Sequence, residues 1–126
     1  MAIWHFLDYI EASGRNPITP WMAGLPWDAQ AAIDGRLLMM EGLRKWPEKW
    51  ASSYVGLDGI FEIRITFNRV QYRPLGMYSP IQRMAFILLC GAIEKGGKIA
   101  KSDQKTAERR RKEILAEPSR VQPHNF

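Results

Sequence analysis

The sequence is poor in the residues that build disulfides and most protein metal sites. Its 126 residues include one cysteine, Cys90, and two histidines, His5 and His124. A single cysteine excludes a disulfide within the chain and a cysteine-based metal cage. The two histidines lie near opposite ends of the sequence, so no histidine acid–base pair is expected either. The sequence therefore predicts no metal and no small-molecule cofactor.

Long apolar runs are also missing. The longest, residues 84–93, has ten residues, whereas a transmembrane helix needs about 20. Residues 1–5 lack the basic segment that opens a secretory signal, and no Gly-rich phosphate loop or nucleophile elbow is present. The sequence predicts a cytoplasmic protein without a membrane partner, and its length predicts one domain.

Charge of one sign is concentrated at one end of the chain. Residues 1–94 contain nine Lys/Arg and nine Asp/Glu, which cancel. Residues 95–126 contain nine Lys/Arg and four Asp/Glu, and so carry the whole net charge of +5. A basic segment of this kind favours a polyanion or an acidic protein as partner. The charge pattern does not choose between the two.

Hydrophobic periodicity predicts an α+β domain over residues 1–117, with the element order β-α-α-β-β-β-α. Alternating or continuous apolar residues indicate strands at 3–10, 60–67, 69 or 70–78, and 84–93. Apolar spacings of three and four indicate helices at 18–25 and 27–45, and composition indicates a basic helix at 102–116. Thr19 is a candidate cap of the first helix, before Pro20. Residues 118–126 are expected to form a loose tail.

Two arginines interrupt the predicted central hairpin. If Asn68-Arg69 forms a two-residue turn, Arg64 faces Arg73 across the hairpin. Like charges placed opposite each other are destabilising, so a bound phosphate or the nearby Glu62 would then have to compensate them. Asn-Arg is not the favoured Asn-Gly turn, and other registers stay open.

Several motifs, taken in order, resemble the RelE/HigB-type toxins of type II toxin–antitoxin systems, most closely the phage-derived HigB-like branch. The matching segments are residues 57–65, which include Gly59-Ile60-Phe61-Glu62-Ile63-Arg64, then Tyr72-Arg73-Pro74-Leu75, residues 86–95 and residues 103–112. The resemblance covers about residues 3–115. It departs at Cys90, where the family usually has histidine, and at Glu94, where it usually has lysine. The resemblance implies a small RelE-like fold, with a mainly antiparallel sheet and helices packed on one face.

The resemblance further implies a ribosome-dependent endoribonuclease that cuts messenger RNA and is masked by a helix-turn-helix antitoxin. Attack of a 2′-hydroxyl on phosphate needs a base, cations for the growing charge and an acid for the leaving oxygen. The implied catalytic residues are Arg64, Arg73, Lys95 and Glu62, and Glu62 is either a general base or a salt-bridge partner. The implied RNA-binding residues are Tyr72, Tyr78, Lys98, Arg109, Arg110 and Arg111. For the tyrosines the alternative is packing, and for the cations it is a solvated surface.

Two other functions stay open. A non-catalytic, ParE-like inhibitor of DNA gyrase is favoured by the missing family histidine. The other open function is that of a phage-derived, nucleic-acid-binding accessory protein without toxicity. A neighbouring gene for a helix-turn-helix protein would favour either toxin, and cleavage of translated messenger RNA would separate the nuclease from the gyrase inhibitor.

Overall fold

A computed structural model describes residues 2–126 of the chain. Within that range the elements are β1 (His5–Tyr9), α1 (Ile18–Ala23), α2 (Trp27–Glu41), β2 (Ala51–Ser53), β3 (Phe61–Ile63), β4 (Ile65–Phe67), β5 (Val70–Tyr72), β6 (Leu75–Tyr78), β7 (Ala85–Cys90), β8 (Ile93–Glu94), α3 (Lys101–Ala116) and β9 (Val121–Pro123). The strands form a six-stranded sheet, ordered β2-β3-β6-β7-β1-β9, and a three-stranded sheet, ordered β4-β5-β8. The described strand pairs are antiparallel except β1 with β7. The predicted α+β class, with a mainly antiparallel sheet, is confirmed.

Each of the two central predicted strands is divided in its middle. β3 and β4 meet at Arg64, while Arg73 and Pro74 separate β5 from β6. Pro74 has no N–H to donate to a ladder. The N–H of Arg64 donates instead to the carbonyl of Trp50 at 2.7 Å, and that of Arg73 to the carbonyl of Ala92 at 2.8 Å. The hairpin therefore passes from one sheet into the other at the level of the two arginines.

Helices cover both faces of the six-stranded sheet, so the expectation that they pack on one face is wrong. Along β7, Phe86 and Leu88 belong to the core that α1 and α2 share, whereas Ile87 and Leu89 belong to the core that α3 shares. All six residues of β7 are buried, because successive side chains of a strand point to opposite faces and here both faces are covered. The continuous apolar run at residues 84–93 reflects this central position.

The helices lie close to their predicted positions, with small differences at their ends. α2 ends at Glu41 rather than at residue 45, and the residue that follows is Gly42, a poor helix former. At the start of α1 the side chain of Asn16, and not of Thr19, satisfies free backbone groups. Its Oδ1 accepts the N–H groups of Ile18 at 2.8 Å and Thr19 at 3.1 Å. Over residues 2–126, no helix combines the length and the apolar character that a bilayer crossing requires.

The end of the chain is not the loose tail that the sequence predicts. β9 pairs with β1, so that Leu7 lies opposite Pro123 and Tyr9 lies opposite Val121. The side chain of His124 is buried. The composition of residues 118–126 does not indicate this strand, because β9 is short and largely exposed and its pairing partner lies at the other end of the chain. The domain therefore extends through His124, and the predicted boundary at residue 117 is wrong.

Candidate functional site

The turn between β4 and β5 is the two-residue turn proposed from the sequence. Asn68-Arg69 has φ values of 51° and 65°, and a type I′ turn needs positive φ at both central positions. The ladder pairs Ile65 with Tyr72. The next residue on each strand is an arginine, so Arg64 and Arg73 lie opposite each other where the two sheets meet.

Glu62 holds the side chain of Arg64 in place. The Nε and Nη2 atoms of Arg64 each lie 2.8 Å from the same carboxylate oxygen, Glu62 Oε1. The second oxygen, Oε2, is buried without a hydrogen-bond partner among the described residues. A general base must reach the proton that it removes, but Oε1 is paired with Arg64 and Oε2 is buried. The arrangement supports the salt-bridge alternative for Glu62.

Arg73 is buried and fixed by its neighbours. Its Nη2 donates to Gln71 Oε1 at 2.6 Å, and its Nη1 donates to the carbonyl of Tyr72 at 2.9 Å. Its Nε lies 3.6 Å from Glu94 Oε1. Gln71 Oε1 also accepts the hydroxyl of Thr66 at 2.7 Å. Glu94 thus partly neutralises Arg73.

Arg64 and Arg73 line one open cleft of about 420 Å³ together with Arg36, Lys49, Trp50 and Thr66. We call it the arginine cleft. Arg36, which the sequence did not single out, donates from Nη1 to the carbonyl of Arg64 at 2.6 Å and lies over the ring of Trp50 at 4.5 Å. Burial lowers the pKa of Arg36, yet a guanidinium stays charged in proteins. Four cations therefore surround one cleft, and guanidinium groups pair well with phosphate.

Lys95 and Lys98 do not share that cleft. Gln71 pairs with Glu94 across β5 and β8, so Glu94 points to the side of Arg73 and Lys95 points to the other side. Lys95 and Lys98 line a second cleft of about 530 Å³, whose other lining residues include Trp21, Lys101 and Asp103. We call it the lysine cleft. The two clefts share no lining residue, so the four predicted catalytic residues do not form one site.

The two tyrosines expected to contact RNA are engaged in packing. Tyr72 is only 4% exposed and belongs to the core beneath α2, so its assignment as a stacking residue is wrong. Tyr78 is partly exposed but lies within an aromatic cluster, 4.9 Å from the ring of Phe61 and 5.5 Å from that of Trp4. Burial raises the pKa of Tyr78. Neither tyrosine lines the arginine or the lysine cleft.

Two of the three adjacent arginines of α3, Arg110 and Arg111, are engaged in packing against other parts of the chain. Arg110 donates to the carbonyl of Leu89 at 2.8 Å and lies 5.1 Å from the ring of Tyr9. Arg111 packs against Gly59, where any Cβ would overlap its guanidinium. Arg109 keeps 63% of its side chain exposed and lies 3.6 Å from Glu113. These contacts contradict a free RNA-binding role for Arg110 and Arg111, and leave it open for Arg109.

A buried histidine between two carboxylates was not anticipated from the sequence. His124 Nδ1 lies 2.8 Å from Asp8 Oδ1, and Nε2 lies 3.0 Å from Asp34 Oδ1. Burial alone would lower the pKa of His124, but its hydrogen bonds to Asp34 and Asp8 and their charges raise it to about 9. The three residues come from β1, α2 and the end of the chain, so no local motif could have revealed them.

Other reactive groups do not complete a catalytic set in the arginine cleft. Cys90 is buried at the end of β7, and burial, followed by the charge of Asp103, raises the pKa of its thiol to about 11. From Ala2 to Phe126 no cluster of three or more His, Cys, Asp or Glu side chains is arranged for a metal ion. The lining of the arginine cleft offers cations, one indole and the hydroxyl of Thr66. This donor set is suited to holding an anion.

Comparison with known proteins does not identify the ligand. No protein family model, no curated protein and no solved structure matches the chain. Function must therefore be inferred from the two clefts and their chemistry.

Proposed function

We propose that the protein is an RNA-directed toxin of the RelE/HigB type, whose arginine cleft binds the phosphodiester backbone of messenger RNA. The observation that supports this most is the placement of Arg64 opposite Arg73, with Arg36 and Lys49 beside them around one cleft. Repulsion among four cations costs free energy. Glu62 and Glu94 offset only part of it, and a bound phosphate offsets more.

Preorganisation supports the same proposal. Glu62 fixes Arg64, Gln71 fixes Arg73, and the carbonyl of Arg64 fixes Arg36. Guanidinium groups held in advance lose little side-chain entropy when an anion binds. In a cleavage reaction they stabilise the charge that grows on the phosphate as the 2′-hydroxyl attacks. Stabilisation of this charge is the contribution that we assign to the arginine cleft.

A binding role without cleavage is a second candidate, and one observation favours it. The carboxylate of Glu62 is turned into the protein, and the described residues lining the cleft include no histidine or carboxylate. Cleavage of RNA in this cleft would therefore need a proton acceptor from the substrate or from a bound partner such as the ribosome, whereas binding alone needs none. This candidate corresponds to the nucleic-acid-binding accessory protein.

The two candidates are separated by expressing the chain from a tightly repressed promoter and mapping messenger RNA 5′ ends. For the toxin we expect growth arrest with new ends inside translated codons. Lys49→Glu, which reverses an exposed charge of the cleft, should abolish both effects. Arg83→Glu, the same change at an exposed arginine away from the cleft, should leave both unchanged. If the cells grow and no new ends appear, although the chain is folded and binds RNA in vitro, the binding role without cleavage is the correct function and the toxin is not. Arrest without new ends would instead indicate the gyrase-type inhibitor.

A further inference from the structure

The lysine cleft, of about 530 Å³, differs from the arginine cleft in its layout. Lys95 and Lys98 flank the turn at Gly96 and Gly97, and each donates its backbone N–H to the carbonyl of the other, at 2.8 and 3.1 Å. Lys101, three residues after Lys98, is the first residue of α3. In the part of the chain that the structure describes, none of the three lysines forms an ion pair.

The position of these lysines is electrostatically unfavourable for the protein alone. The N-terminus of a helix carries a partial positive charge, which favours anions and disfavours cations nearby. Here three ammonium groups line a cleft at the start of α3. Asp103 is the one acidic residue in the lining, and burial raises its pKa. An anion in the cleft removes this conflict, since it meets three free cations and the positive end of α3.

Trp21 gives the cleft an aromatic wall. It belongs to α1 and packs against Gly91, at the end of β7, where any Cβ would overlap the indole. The indole therefore lies directly against the backbone at Gly91 while it also lines the cleft. Aromatic rings presented beside basic residues are the usual platform for unstacked bases of RNA. The cleft volume of about 530 Å³ falls within the range of roughly 300–1,000 Å³ of small-molecule sites.

We infer that the lysine cleft binds one unstacked nucleotide of RNA, with the base against Trp21 and the phosphate among Lys95, Lys98 and Lys101. Asp103 is placed to accept a hydrogen bond from an amino or hydroxyl group of the nucleotide. Lys95 faces away from Arg73 on the small sheet, so this contact is separate from the one at the arginine cleft. The choice of RNA as ligand rests on the proposed function, but the cleft and its chemistry do not.

The test uses adenosine 5′-monophosphate as probe and follows tryptophan indole and backbone amide signals of the ¹⁵N-labelled protein by NMR. We expect saturable shifts at the Trp21 indole, assigned with Trp21→Phe, and at the amides of residues 95–101. Adenosine and inorganic phosphate should each bind at least tenfold more weakly than the nucleotide. Lys98→Glu and Lys101→Glu should each weaken the nucleotide at least fivefold. Lys105→Glu, the same charge change at an exposed residue further along α3, should not.

Three outcomes would overturn the inference. Phosphate binding as tightly as the nucleotide would leave a plain anion site without stacking. If Lys105→Glu weakens nucleotide binding as much as the cleft variants do, the effect is due to the general charge of the protein. If millimolar nucleotide causes no shifts, the cleft does not bind a nucleotide. Binding of an RNA oligonucleotide by the Lys49→Glu variant is measured in parallel. If that variant loses RNA while the nucleotide shifts are absent, the proposed function stands and only the second site fails.

Discussion

Asp8 and His124 lie 116 positions apart in the sequence and are joined by a hydrogen bond of 2.8 Å between Asp8 Oδ1 and His124 Nδ1. The other oxygen of Asp8 accepts the side-chain amide of Asn16 at 2.9 Å, and the other nitrogen of His124 meets Asp34 at 3.0 Å. This network closes β9 against β1. It also ties the last residues of the chain to α2.

Stability should fall as the pH rises through the pKa of His124. In the folded protein this pKa is about 9, compared with 6.5 for the free side chain. The folded state therefore binds the proton more tightly than the unfolded state. The resulting contribution to the free energy of unfolding is fully present below pH 6.5 and is lost above pH 9. Since a tenfold change in proton affinity corresponds to about 1.4 kcal/mol, we expect a loss of roughly 2–3 kcal/mol over that interval. Urea unfolding at pH 6 and at pH 9.5 measures it.

Two histidine variants serve as test and control for this prediction. His124→Gln should be less stable at pH 6 and should lose most of the change in stability between the two pH values. His5→Gln replaces an exposed histidine and should keep the whole change. A pH dependence that survives in His124→Gln would assign the titration to another group.

The sequence predicts the parts of this fold that depend on local pattern. Positive φ at Asn68-Arg69 and the register of Arg64 with Arg73 follow from hairpin geometry, and the buried run of β7 follows from its continuous apolar residues. Contacts between distant segments leave no local signal. The pairing of β9 with β1 and the burial of His124 are of this kind.

The candidate sites divide in the same way. Arg64 and Arg73 could be predicted because each lies in a motif that resembles the RelE/HigB-type toxins and each interrupts an otherwise apolar strand. Arg36 and Lys49 come from a helix and a loop that carry no motif, and only folding brings them to the same cleft. Lys95 was wrongly grouped with the arginines, because sequence spacing does not show which face of a short strand a residue occupies.

Two glycine-to-alanine substitutions should have opposite effects on stability. A Cβ at Gly76 in β6 would overlap the ring of Phe86 and the carbonyl of Ile87, so Gly76→Ala should cost about 2 kcal/mol or more, as overpacking does. A Cβ at Gly35 in α2 meets nothing within 4 Å, and Gly35→Ala should stabilise by about 0.5–1 kcal/mol because glycine disfavours helices. Chemical denaturation measures both. If Gly76→Ala is tolerated without loss of stability, the packing described between β6 and β7 is wrong, and a destabilised Gly35→Ala would contradict the open space described at Gly35.

Glu62→Gln should separate a positioning carboxylate from a general base. Glutamine keeps an oxygen that accepts a hydrogen bond from Arg64, and removes a negative charge beside the arginine cleft. We therefore expect RNA affinity that is unchanged or up to about threefold tighter, with cleavage, where it occurs, retained. Fluorescence anisotropy with a labelled oligonucleotide gives the affinity, and 5′-end mapping gives the cleavage. A fall in cleavage of about 100-fold or more at unchanged affinity would instead make Glu62 the base.

The dependence of RNA binding on salt should report how many phosphates the arginine cleft holds. Each phosphate neutralised on a single strand contributes about −0.7 to the slope of log affinity against log salt concentration. Lys49 is exposed at the mouth of the cleft and makes no ion pair among residues 2–126. Lys49→Ala should therefore make the slope shallower by about 0.7 without loss of stability. Arg83→Ala, an equal loss of charge at an exposed residue that does not line the cleft, should leave the slope unchanged. A slope that Lys49→Ala does not alter would mean that the phosphate backbone passes elsewhere, and the contribution of the arginine cleft to RNA binding would have to be abandoned.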